Sequence, residues 1–130
     1  MVLIIGLSST LPAQSLIGLG KEEVKVVMLE KKKDFRIDKT IVRQQFNYLK
    51  YVNNLQTKTF IVFFSKDDIC TKTKLICDYS DYDKVLEKLN ETHTVVNDTA
   101  WKYSSEEMNY LISLEKLEWY FVLRETEDLN

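Results

Sequence analysis

The fold turns on how SSEEMNYLISLEKLEWYFVL, residues 104–123, is read. Ser104 stands three residues before Glu107, the S-x-x-E spacing in which a hydroxyl and a carboxylate cap the first turn of a helix reciprocally. Met108, Leu111, Ile112, Leu114 and Leu117 follow at helical intervals, so the stretch reads as a helix that ends in the aromatic run Glu118-Trp119-Tyr120-Phe121-Val122.

The same devices recur upstream. Ser80 and Asp83 form a similar pair ahead of Tyr82, Val85, Leu86 and Leu89, which share one helical face. Asp38 is placed to cap a helix over 38–53 whose stripe is Ile41, Val42, Phe46, Leu49 and Val52, and Phe46 is expected in the core. Between the helices, TFIVFF (59–64) and TKLIC (73–77) read as short strands. EVKVVMLE (23–30) carries apolar side chains on both alternations and reads as a covered strand, paired across KKKD with Phe35-Arg36-Ile37. Lys31, Lys32 and Lys33 then solubilise the exposed tip of that hairpin. No internal repeat or low-complexity tract appears. The predicted fold class is α+β: a small sheet with an N-terminal β-hairpin packed against several α-helices.

Composition sets the frame. With 130 residues, 45% apolar and 29% charged, the chain reads as a single domain, an uncharged N-terminal segment (1–20) preceding an α+β core (21–130). The net charge of −2 is unevenly spread, since residues 21–50 carry nine Lys/Arg against five Asp/Glu and residues 51–130 carry nine against fifteen. Uncharged though it is, segment 1–20 lacks a basic n-region. Its apolar run is broken at Gly6, Ser8, Ser9 and Thr10, which suits neither a signal peptide nor a membrane span. An intracellular protein, cytoplasmic or nuclear, is the expectation, with no membrane partner.

Several chemistries lack their residues. Gly6, Gly18, Gly20 and Pro12 all fall within the first twenty positions, whereas phosphate loops, nucleophile elbows and dinucleotide fingerprints need glycine where the backbone meets a ligand. Cys70 and Cys77 are seven apart without a CxxC or a nearby histidine, the wrong spacing for zinc. His93 is the one histidine and sits in polar surroundings. Asp67 with Asp68, and Asp81 with Asp83, look like turn and cap residues rather than an acid–base pair. A pI near 5.5 argues against nucleic acid. Asn90-Glu91-Thr92 and Asn97-Asp98-Thr99 match the glycosylation sequon, which matters only in a secreted chain. The chain is expected to be no enzyme, with no catalytic residue, cofactor or metal.

In three blocks the sequence resembles the BTB/POZ fold, with its elongin C and Skp-type cullin-adaptor relatives. The first comprises Phe35, Ile37, Asp38, Lys39, Ile41 and Val42, with Tyr48 and Leu49 at a later step. The second is YSDYDKVLEKLN, with Tyr79, Ser80, Tyr82, Asp83, Val85, Leu86 and Leu89 in place and Asn90 where the family usually has tyrosine; the third is EEMNYLISLEKL. Gln44, Gln45 and Glu115 depart from the small residues usual at their positions, and the link QTKTFIVFFSKDDIC is longer than usual. The resemblance implies a non-catalytic protein–protein interaction module that self-associates, for instance as a homodimer, or bridges a cullin-type ubiquitin-ligase scaffold to a receptor. The alternative is a small viral or phage-type inhibitor of unrelated α+β fold that blocks a host protein.

The residues themselves indicate where such a module would bind. Phe60, Phe63, Phe64, Trp119, Tyr120 and Phe121 crowd two short stretches that alternation cannot bury on one face, so some must reach the surface. Phe60, Phe63, Phe64, Ile69, Trp119 and Tyr120 are therefore the expected partner-binding residues.

Overall fold

Along Trp101–Tyr103 and Tyr110–Leu114 alternate side chains turn to the core, which is the periodicity of strands and not of a helix. A computed structural model of the protein describes residues 15–39 and 46–129. In it the stretch expected to be a helix is three strands: β6 (Ala100–Ser105), β7 (Met108–Lys116) and β8 (Tyr120–Glu127). Tyr110, Ile112 and Leu114 are buried along β7 while their neighbours are not. Ser104 and Glu107 do not cap a helix. Glu106 and Glu107 take φ of 50° and 69° between the paired residues Ser105 and Met108, a two-residue type I′ hairpin turn.

The remaining elements are α1 (Lys21–Lys31), β1 (Phe35–Ile37), β2 (Tyr48–Asn53), β3 (Lys58–Phe64), β4 (Cys70–Asp78), a 3-10 turn (Tyr79–Asp81), α2 (Tyr82–Thr92) and β5 (Thr94–Asn97). The strands form one antiparallel sheet in the order β1-β2-β3-β4-β8-β7-β6-β5. This corrects the expected α+β fold of a small sheet under several helices: eight strands dominate, with two α-helices among the described residues. The arrangement implied by the BTB/POZ resemblance is thus not the one found. A helix followed by a four-stranded meander occurs twice, the halves joined where β4 pairs β8. The repetition is one of topology, which alternation of unlike residues can build without sequence similarity.

Residues 23–30 lie in a helix, not a strand. Val24 and Met28, one turn apart, are its buried residues; Glu23 reaches back to the Gly20 N–H, and Glu22 pairs with Lys25. Lys31, Lys32 and Lys33 are exposed as expected, but on a helix-to-strand turn. Ile41, Val42, Gln44 and Gln45 lie outside the described residues. The later part of the expected 38–53 helix is strand β2, and Phe46 is 53% exposed, so it is not a core residue. The strand expectations at 59–64 and 73–77 agree with β3 and β4, and α2 buries the predicted face of Tyr82, Val85, Leu86 and Leu89.

Both helices cover the same face of the sheet. α1 lies over a cluster of Leu49, Tyr51, Val62, Phe64, Cys70 and Tyr110, joined by Leu16 and Ile17. α2 lies over Cys77, Trp101, Ile112, Leu114, Phe121 and Leu123. Residues 15–20 dock on the core: Gly18 N–H donates to the Cys70 carbonyl, and Cys70 N–H to that of Leu19. Gly18 has φ +94°, a conformation other residues rarely adopt. Among the described residues no helix is long and apolar enough to cross a membrane.

Candidate interaction surface

Register fixes what the other face carries, because side chains alternate strictly between the two faces of a sheet. Paired positions form three rows across it. One row runs Arg36, Val52, Thr59, Ile76, Val122, Glu115. The next runs Lys50, Ile61, Lys74, Arg124, Ser113, Ala100. The third runs Tyr48, Phe63, Lys72, Thr126, Leu111, Lys102. No described helix lies over these rows. Ile61, Phe63, Ile76 and Leu111 are half-buried by their neighbours, and Val122 at the centre is 1% exposed. Tyr48 and Phe63 meet at 6.4 Å, and the Lys72 ammonium sits 4.8 Å from the Phe63 ring.

A second apolar feature borders this face at the β7–β8 turn. Leu117 N–H donates to the Tyr120 carbonyl, and the turn holds Trp119 78% exposed. The Tyr79 ring packs tilted against Phe121 at 5.7 Å and its hydroxyl donates to the Leu117 carbonyl. Tyr79, Leu117, Trp119 and Tyr120 together form an exposed lip at one end of the sheet.

The residues expected to bind a partner do not form one patch. Phe64 is buried on the helix-covered side and Phe60 is packed against the same cluster. Phe63 lies on the open face. Trp119 and Tyr120 belong to the lip, while Ile69, also exposed, occupies the β3–β4 turn at the far end of the nine-residue β4. The aliphatic and basic positions of the open face were missed. Their signal was present in TFIVFF, whose apolar residues fill both alternations, as they do only when both faces need them.

A polar seam divides the two core clusters on the covered face. One carboxylate oxygen of Glu125, Oε2, accepts from the Tyr103 hydroxyl at 2.6 Å and the Ser15 hydroxyl at 2.5 Å. Tyr103 stacks on Tyr110 at 4.9 Å and meets the His93 ring edge-on at 4.6 Å. Burial, and then the Glu125 charge, push the Tyr103 hydroxyl well above its ordinary pKa. Burial holds His93 below its ordinary value. An open groove of about 610 Å³ beside it is lined by His93, Lys102, Tyr103 and Asp128 among others, with Lys102 and Asp128 ion-paired at 3.3 Å.

The Thr92 hydroxyl donates to the Lys88 carbonyl at 2.7 Å and lies 2.6 Å from the His93 Nδ1. Burial pushes the Cys70 and Cys77 thiols up to about 12, far from a reactive thiolate. Among the described residues no three His, Cys, Asp or Glu side chains are grouped to hold a metal ion. No protein-family model, no curated protein and no solved structure matches the chain.

Proposed function

We propose that the protein is a non-catalytic interaction module that binds another protein through the open face of its sheet, with the Tyr79–Trp119–Tyr120 lip at the border of the contact. The observation that carries this reading is that no described helix covers this face. Its stripe of Val52, Ile61, Ile76 and Val122 crosses from β2 to β8, while both described helices cover the opposite side. Sheets are ordinarily buried on at least one face, and an apolar stripe on the second marks a place another molecule covers.

Site-specific photocrosslinking tests the reading. Benzoylphenylalanine at position 61 or 111 is expected to capture a protein in the producing cell, while the same group at position 84 or 87, on the exposed side of α2, is not. Equal capture from both sides, or capture from α2 alone, refutes it.

A further inference from the structure

The proposed interface carries its charge unevenly, and we infer that its occupant is an acidic protein segment, an extended stretch bearing Asp or Glu between apolar side chains. This rests on the reading of the open face as an interface. Register assigns Arg36, Lys50, Lys72, Lys74, Lys102 and Arg124 to that face, against Asp38, Asp78, Glu115 and Asp128, six cations to four acids. The whole chain has a net charge of −2, so the surplus is local to this side. Lys50 pairs with Asp38, Lys102 with Asp128 and Arg124 with Glu115. Arg36, Lys72 and Lys74 have no ion-pair partner among the described residues. Two of these, Lys72 and Lys74, are alternate residues of central strand β4, beside the apolar pairs Phe63 and Ile61 of β3. A segment laid across the strands would set carboxylates over the lysines and apolar groups over Ile61 and Ile76.

Other occupants fit less well. A second copy docked face to face would bring the same positive surplus against itself. A single-stranded nucleic acid needs free ring faces for stacking, whereas Phe63 is covered by Lys72 and abutted by Tyr48, and the stripe between is aliphatic. An anionic bilayer needs apolar groups that stand proud enough to insert, and those in the rows are sunk between their neighbours.

The test uses the full chain and labelled synthetic peptides of about 15 residues followed by fluorescence anisotropy. One peptide alternates Glu with Leu and the other alternates Lys with Leu. Oligothymidylate, phosphatidylserine vesicles and self-association by sedimentation equilibrium are run alongside. The glutamate peptide is expected to bind at least about tenfold tighter than the lysine peptide, and to weaken markedly between about 50 and 300 mM salt. The double variant Lys72→Glu, Lys74→Glu is expected to remove that preference with its circular-dichroism melt still cooperative. Equal binding of the two peptides, abolished by Ile61→Ser, would overturn the inferred charge but leave the interface reading standing. Failure of both peptides to bind would overturn both. Tighter binding of oligothymidylate or vesicles, or self-association through this face, would also overturn the acidic occupant.

Discussion

Lys74 on β4 and Arg124 on β8 stand directly opposite each other across the central strand pair, on the face that no described helix covers. Arg124 is neutralised by Glu115 at 2.7 Å, but Lys74 has no ion-pair partner among the described residues. Like charges directly opposite across an antiparallel pair destabilise it by a few tenths of a kcal/mol. An acid at this position would serve the fold better. Lys74→Glu is therefore expected to raise stability by about 0.5 kcal/mol in urea titration while weakening the glutamate peptide. A variant that gains neither stability nor loses affinity would show that the pair is indifferent to both.

The β6–β7 turn stores strain of a different kind. Glu106 and Glu107 both hold positive φ, which costs a residue with a Cβ roughly 1 kcal/mol and which Asn-Gly adopts readily. Replacing the pair by Asn-Gly is expected to stabilise the protein by about 1 kcal/mol, read as a higher denaturation midpoint at unchanged slope. Destabilisation would mean that the two glutamates make contacts worth more than the strain they carry.

His93 gives stability a pH dependence. Burial lowers its folded pKa, with the Glu125 charge pulling weakly the other way, so the unfolded chain binds the proton first as pH falls. Stability is then unaffected above the unfolded value of about 6.5 and declines as pH falls through it. His93→Asn is expected to flatten the stability profile between about pH 6.5 and 5, before the carboxylates titrate. An unchanged slope would place the dependence elsewhere.

How far the fold was legible depended on how many periods an element offered. Helix α2 presents Tyr82, Val85, Leu86 and Leu89 without competing apolar positions, and sequence alone placed it. Residues 108–117 satisfy two periods at once: Met108, Leu111, Leu114 and Leu117 suit a helix, while Tyr110, Ile112 and Leu114 suit a strand. The cross-strand partners Trp101 and Leu123, invisible to a local window, decide for the strand. At 23–30 the apolar side chains on both alternations suggested a strand, but burying Val24 and Met28 against β2 and β3 needs only one helical face. Of the candidate surface, the aromatic excess was visible. The division of Phe60 and Phe64 from Phe63 was not, because it follows from which face the helices cover.

The polar seam supplies the last prediction. Glu125 accepts two hydroxyls on one oxygen between two apolar clusters, so removing the carboxylate strands Ser15 and Tyr103 together. Glu125→Ala is expected to cost roughly 2–4 kcal/mol, and Glu125→Gln, which keeps an acceptor oxygen but not its charge, about 1 kcal/mol. Tyr103→Phe removes one donor and is expected to cost about 1 kcal/mol. Because the two groups share one bond, the double variant Glu125→Gln, Tyr103→Phe should cost less than the separate losses added, with a coupling of at least about 0.5 kcal/mol. Ultraviolet titration gives an independent reading. Burial is the larger cause of the raised Tyr103 pKa and the Glu125 charge the next. In Glu125→Gln the phenol should therefore ionise at lower pH than in the parent yet still above a free tyrosine. Additive costs and an unmoved phenol would show that the Tyr103–Glu125 contact contributes nothing beyond its packing.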